Sequence, residues 1–166
     1  EAVSRNQQHI VDYLNQRQHI RYLGKGIDIE FSTKGRTWIN SDGKTNMPSG
    51  EVYTAPVDDS VNGTIHFSYP SVFRGQEVEG ITLWVKDGWI ERWEAKQGKA
   101  LLDRIFGIDE GARRFGEAAI GTNYHIQTPV KNILFDEKIG GSVHMAVGQA
   151  YLQNGGVNQS AIHWDM

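Results

Sequence analysis

The sequence predicts a single α+β domain dominated by antiparallel strands and hairpins, with a few short helices. Three observations carry that prediction. An Asp87-Gly88 pair sits between two alternating apolar stretches, among the strongest short-range hairpin signals. Glycine accounts for 19 of the 166 residues, which favours turns and tight backbone positions over a helical bundle. Helical spacing of apolar residues is confined to short segments, while alternation recurs through the rest.

Residues 2–18 read as an amphipathic helix, with Val3, Ile10, Val11 and Leu14 near helical spacing. From Ile20 strands take over. Ile27 to Phe31 alternates, Lys34-Gly35 supplies a turn, and Thr37-Trp38-Ile39 returns, a hairpin pattern. A polar stretch from Asn40 to Gly50 leads into Glu51-Val52-Tyr53-Thr54, and Asp58-Asp59 reads as turn chemistry. The Asp-Gly hairpin spans Val78 to Ala95, where Ile81, Leu83 and Val85 alternate with Thr82 and Trp84. Its Trp84, Trp89 and Trp93 suit either core packing or an exposed interaction face. A short helix is expected over Gln97 to Phe106, with Ala100, Leu101 and Ile105 as its apolar stripe. A second is expected near Asp109 to Arg114, capped by Asp109. Short strands follow at Glu117 to Ile120, Val143 to Val147 and Ser160 to Trp164.

Composition excludes several classes of function. Lys and Arg number 17 against 20 Asp and Glu, a net charge of −3, so there is no basic excess for nucleic acid. No apolar run approaches the roughly 18 residues of a membrane span. Cysteine is absent, which removes thiolate metal sites and cysteine nucleophiles. No Gly-x-Ser-x-Gly elbow occurs to support a serine triad. The start, Glu1-Ala2-Val3-Ser4-Arg5, has neither an initiator Met nor a signal-peptide pattern, and reads as part of a longer protein.

Any metal must then be held by His, Asp and Glu. In His163-Trp164-Asp165, positions i and i+2 of a strand would aim imidazole and carboxylate at one point. A simple His–Asp hydrogen bond is the other reading. His144 shares a strand face with Ser142 and Ala146, small residues that leave room for a ligand; a satisfied buried histidine is the other reading, and by itself the commoner one. Glu117, between Gly116 and Ala118-Ala119-Ile120, and Glu51, entering Val52-Tyr53, are carboxylates in apolar runs. Asp136-Glu137 follows Ile133-Leu134-Phe135 in the same way. Burying such charges is costly without a cation. His9, His19, His66 and His125 have no comparable setting, and the first two are expected at the surface.

Four motifs in one order resemble the thermophilic metallo-aminopeptidases of peptidase family M29. They are Asn46 to Pro56, Gly116 to Asn123, Leu134 to Ala146 and Ala161 to Asp165. The resemblance implies a two-metal site (zinc, cobalt or manganese) with Glu51, Glu117, His144, His163 and Asp165 as ligands. It implies Tyr151 as an active-site tyrosine, and Glu137 as a ligand or general base. Three carboxylates against two divalent ions leave one positive charge, and a fourth ligating carboxylate would cancel it, which favours Glu137 as base. The implied activity is release of N-terminal residues from peptides with a free N-terminus, by a cytoplasmic homodimer. On this reading residues 1–19 form a leading helix that links to a missing N-terminal α/β domain. Residues 20–166 form the metal-binding catalytic domain, truncated at its C-terminus. Without metal, its clustered carboxylates should repel one another. A catalytically inert relative serving as a dimerisation or binding module, and a mononuclear hydrolase, are the alternatives.

Overall fold

Alternating side chains build two five-stranded antiparallel sheets, described in a computed structural model over residues 2–44 and 48–166. The side chains of Ala2 and Val3 fall outside that description. So do Asn46-Met47 of the first motif. A helix α1 (Ala2–Leu14) precedes the strands. Strands β1 (His19–Gly24), β2 (Ile27–Ser32), β5 (Asn62–His66), β8 (Thr82–Lys86) and β9 (Trp89–Glu94) form the first sheet in that order. The second runs β12 (His163–Asp165), β11 (Val143–Gly148), β10 (Phe115–Gly121), β4 (Glu51–Thr54), β3 (Ile39–Ser41). A ribbon of β6 (Ser71–Phe73) and β7 (Gln76–Val78) stands apart.

One apolar core joins the two sheets. Ile29, Phe31, Ile65, Leu83 and Ile90 from the first meet Phe115, Ala118, Met145, Val147 and Trp164 from the second. Burying residues of this size contributes roughly 1.5–3 kcal/mol each. Tyr22 bridges the sheets, its hydroxyl donating to the Ala119 carbonyl at 3.1 Å. The helix α1 is bound to the second sheet. Val11 and Leu14 pack on Trp38 and Val52, and the Gln7 amide donates to the Ser41 and Glu51 carbonyls.

The Asp87-Gly88 hairpin forms where expected. Trp84 and Trp89 are half-buried on the outward face, while Trp93, opposite Leu83, packs against the core. Each has an arginine beside its ring, Arg92 at 4.0 Å from Trp84, Arg114 at 3.8 Å from Trp89 and Arg113 at 5.6 Å from Trp93. The Ile27–Ile39 hairpin does not form. Both edges of β2 are taken, by β1 and β5, and Ile39–Ser41 pairs with β4 in the other sheet. Burial of Trp38 beneath α1 draws the chain out of the first sheet after the turn. The leading helix also stops at Leu14, before residue 18, because Asn15 turns its side-chain oxygen to the Trp38 amide. The helix α2 (Lys99–Phe106) buries Leu102, Ile105 and Phe106; of the expected Ala100-Leu101-Ile105 stripe, Ile105 is buried, Leu101 half-buried and Ala100 exposed. Ile133 to Asp136 is a helical turn, α3.

Asp109 caps a 3-10 turn at Glu110–Arg113, accepting from the Ala112 amide. It also accepts from the Ser160 hydroxyl and the Ala161 amide, each at 2.8 Å. It thereby fixes the approach to β12, which begins only at His163 because Ser160 and Ala161 are engaged here. D109A should cost about 1–2 kcal/mol. A urea melt with an unchanged midpoint would contradict that role.

Candidate metal centre

The second sheet presents one face to the core, and strand alternation leaves the other for chemistry. Val52, Ala118, Met145 and Trp164 point inward. Their neighbours Glu51, Glu117, His144, His163 and Asp165 share the outer face, as the strand register requires. Ala119 lies opposite both Tyr53 and His144, and Ala146 opposite both Glu117 and Asp165. The two alanines leave open space among these long side chains. A bulge between Phe115 and Glu117 sets the aim of the glutamate. It needs glycine at 116, where a Cβ would lie 2.4 Å from the Gln149 carbonyl oxygen.

The five residues form one connected cluster. His144 Nε2 is 3.2 Å from Glu51 Oε2 and 3.4 Å from Glu117 Oε1. His163 Nε2 is 3.6 Å from Glu117 Oε2 and 3.4 Å from Asp165 Oδ1. Donor atoms of Glu51, Glu117 and His144 lie within 4.8 Å of one another, as do those of Glu117, His163 and Asp165. Glu117 thus belongs to both groups, one carboxylate oxygen toward each histidine. Glu137, on the cap following α3, joins a third group with His144 and Asp165. Among the described residues, Glu51 Oε2 and both ring nitrogens of His144 are buried without a hydrogen-bond partner. Orphaned polar atoms of that kind cost free energy, and a divalent cation would satisfy Glu51 Oε2 together with His144 Nε2, which face each other. The donor set of carboxylates and imidazoles suits such an ion.

His163 is held in a useful tautomer. Its Nδ1 lies 2.7 Å from the Gln149 carbonyl, which can only accept, so Nδ1 carries the proton and Nε2 faces the carboxylates. Burial opposes charging of this ring, but Asp165 and Glu117 push its pKa up to about 9 in the metal-free chain. His144 is likewise raised by Glu117 and Glu51 against its burial. Burial, then the charges of Glu51 and Asp165, push the Glu137 carboxyl up to about 7. Burial also raises Glu117, helped by Asp165. Glu51 and Asp165 are held low despite burial, the first by His144 and Lys138 and the second chiefly by His163.

Tyr151 packs at a tilt against His163 with ring centroids 4.7 Å apart and meets Tyr53 edge-on at 6.3 Å. It is 42% exposed, and burial together with the Glu117 charge raises its phenol well above the ordinary range. These groups border a polar cleft of about 670 Å³ lined by Glu51, Tyr53, Glu117, Glu137, Tyr151 and His163. A second cavity of about 570 Å³, lined by Tyr22, Phe67 and Val72, reaches His144, Glu137 and Asp165 from the other side.

Sequence reasoning missed Lys138. Its ammonium is fully buried and donates to Glu51 Oε1 at 2.9 Å and to Glu137. The expected mutual repulsion of clustered carboxylates is therefore offset by a cation of the chain itself. The only signal was the adjacency Glu137-Lys138, which usually marks a solvated surface. Of the histidines set aside, His9, His19 and His125 are exposed, and His66 bonds Thr82 at 2.8 Å.

Two packed antiparallel sheets with a carboxylate–imidazole cluster on the outer face of one define a candidate divalent-metal centre. The sequence profile of the thermophilic metalloproteases (M29) matches residues 1–166, and the chain belongs to that family. It is 33% identical to aminopeptidase 2 of Geobacillus stearothermophilus over 94% of its length and 44% of the relative's. It is 32% identical to aminopeptidase T of Thermus thermophilus, over 99% of its length and 47% of the relative's. The structure of wild-type AmpT from Thermus thermophilus superimposes with a TM-score of 0.87 at 31% identity, covering 99% of this chain and 47% of that one. A 2,5-dihydroxypyridine dioxygenase from Pseudomonas putida KT2440 shares the fold, with a TM-score of 0.80 at 17% identity, over 99% of this chain and 53% of that one. The chain spans about half the length of the relatives it matches. No helix among the described residues is long and apolar enough to cross a membrane.

Proposed function

We propose that the cluster is a two-metal centre, and that the protein carrying it releases N-terminal residues from peptides. The observation that carries this reading is the position of Glu117, shared between two donor groups that each contain one histidine. Glu51, His144 and Glu117 would hold one ion, and Glu117, His163 and Asp165 the other. Zinc, cobalt or manganese bound there would polarise a peptide carbonyl and make a water more acidic.

The remaining steps belong to the chain. Glu137, raised to about 7, is matched to accept a proton from the attacking water near neutral pH and return it to the leaving amine. Tyr151 keeps its phenolic proton and stands at the cleft, where it can donate to the developing oxyanion. The acidic cleft favours a substrate bearing a free α-ammonium. His163, fixed by the Gln149 carbonyl, keeps Nε2 aimed at the centre.

Elemental analysis with an aminoacyl-nitroanilide assay, on this chain and on the full-length protein, tests the reading. Two ions per chain and hydrolysis by the full-length protein are expected. One ion would favour a mononuclear hydrolase. No bound ion and no turnover would leave a binding module.

A further inference from the structure

We infer that Lys138 is a fixed internal cation of this centre, a positioning residue that orders Glu51 and Glu137 before any metal arrives. The inference rests on the two-metal reading for its consequences, but its evidence is independent of metal. The Lys138 side chain is 0% exposed, a burial that ammonium groups accept only when paired. Its backbone is pinned on both sides. The amide donates to the Phe135 carbonyl at the end of α3, and the carbonyl accepts from Asn123. The ammonium is thereby delivered between two carboxylates on separate elements, Glu51 on β4 and Glu137 after α3.

The contact divides the work of Glu51 between its oxygens. Oε1 is engaged by Lys138, while Oε2 faces His144 Nε2 at 3.2 Å without a hydrogen bond. Lys138 thus leaves Glu51 one oxygen for a metal and restricts it to single-oxygen ligation. It also changes the charge balance. Glu51, Glu117, Glu137 and Asp165 with Lys138 carry three formal negative charges, one fewer than the positive charge of two divalent ions. All four carboxylates can then stay ionised around a centre that remains positive, so the presence of Glu137 no longer neutralises it.

K138M keeps the aliphatic stem and removes the charge. The zinc-free variant should melt about 10 °C below the zinc-free wild type, and zinc should recover most of that difference by supplying the missing cation. An equal loss with and without zinc, or no loss at all, would overturn the inference, since packing alone is preserved by Met. If K138M is recovered only unfolded, E137Q/K138M removes one of the two stranded carboxylates and should regain a cooperative melt. A double variant no more stable than the single one would count against the proposal. A wild type that binds no zinc would sink the two-metal reading, while the zinc-free melts would still decide the role of Lys138.

Discussion

E117Q in the full-length protein is expected to lose activity by on the order of 10²-fold or more while remaining folded. Glu117 presents one oxygen toward His144 and the other toward His163, so an amide there weakens both halves of the centre together. Stability should move the other way. Burial, and next Asp165, hold the Glu117 carboxyl above its ordinary range, which means that its ionised form is unfavourable in the metal-free chain. Gln removes that charge with little change in size, so the metal-free melt should be equal or higher. A variant that keeps two ions and normal turnover would refute the assignment of Glu117.

Zinc at a fixed concentration, about 100 times its dissociation constant at pH 7, should raise the melting temperature by roughly 5–10 °C there, and by more at pH 9 than at pH 6. The sign follows from the metal-free groups. Glu137 titrates near 7 in the folded chain against an ordinary value of 4.5, and His163 near 9 against 6.5. In both cases the folded state keeps its proton longer than the unfolded state. Their stabilisation is complete below the unfolded values and is lost as pH rises, between 4.5 and 7 for Glu137 and between 6.5 and 9 for His163. Metal binding needs deprotonated ligands and strengthens over the same range. The metal-free melt should therefore fall from pH 6 to pH 9 as the zinc-induced rise grows. E137Q should flatten the metal-free profile between pH 5 and 7. An unchanged slope there would show that Glu137 does not cause it.

Much of the centre was legible because strand period is a strong constraint. His163 and Asp165 are two apart, so any strand through them must aim both the same way, with Trp164 in the core. Glu51 and Glu117 stood out as carboxylates in apolar runs, and both are buried. What alternation cannot reveal is which strand edge is free. The turn at Lys34-Gly35 is real, yet the strand before it already had two partners, so the expected hairpin did not form. The α2 stripe held at Ile105, but Leu102 and Phe106 are buried where Ala100 and Leu101 were expected, because adjacent apolar residues on so short a helix leave the choice of face to tertiary packing. Lys138 was illegible for a different reason. A lysine beside a glutamate normally belongs to solvent, and only the tertiary approach of Glu51, 87 positions away, makes it a core residue.

The order of strands in the second sheet bears on when the centre comes into existence. β4 must wait for β10, which lies beyond the whole hairpin of the other sheet, and β12 joins at the opposite edge. The donor group that contains Glu51 therefore depends on a pairing that closes a long loop, and such pairings form late because their entropy is lost before contacts repay it. Glu117, His163 and Asp165, by contrast, lie within the run β10-β11-β12, strands consecutive in sequence. The centre is consequently incomplete until β4 joins β10. A metal that needs the complete centre should therefore slow unfolding more than it speeds folding.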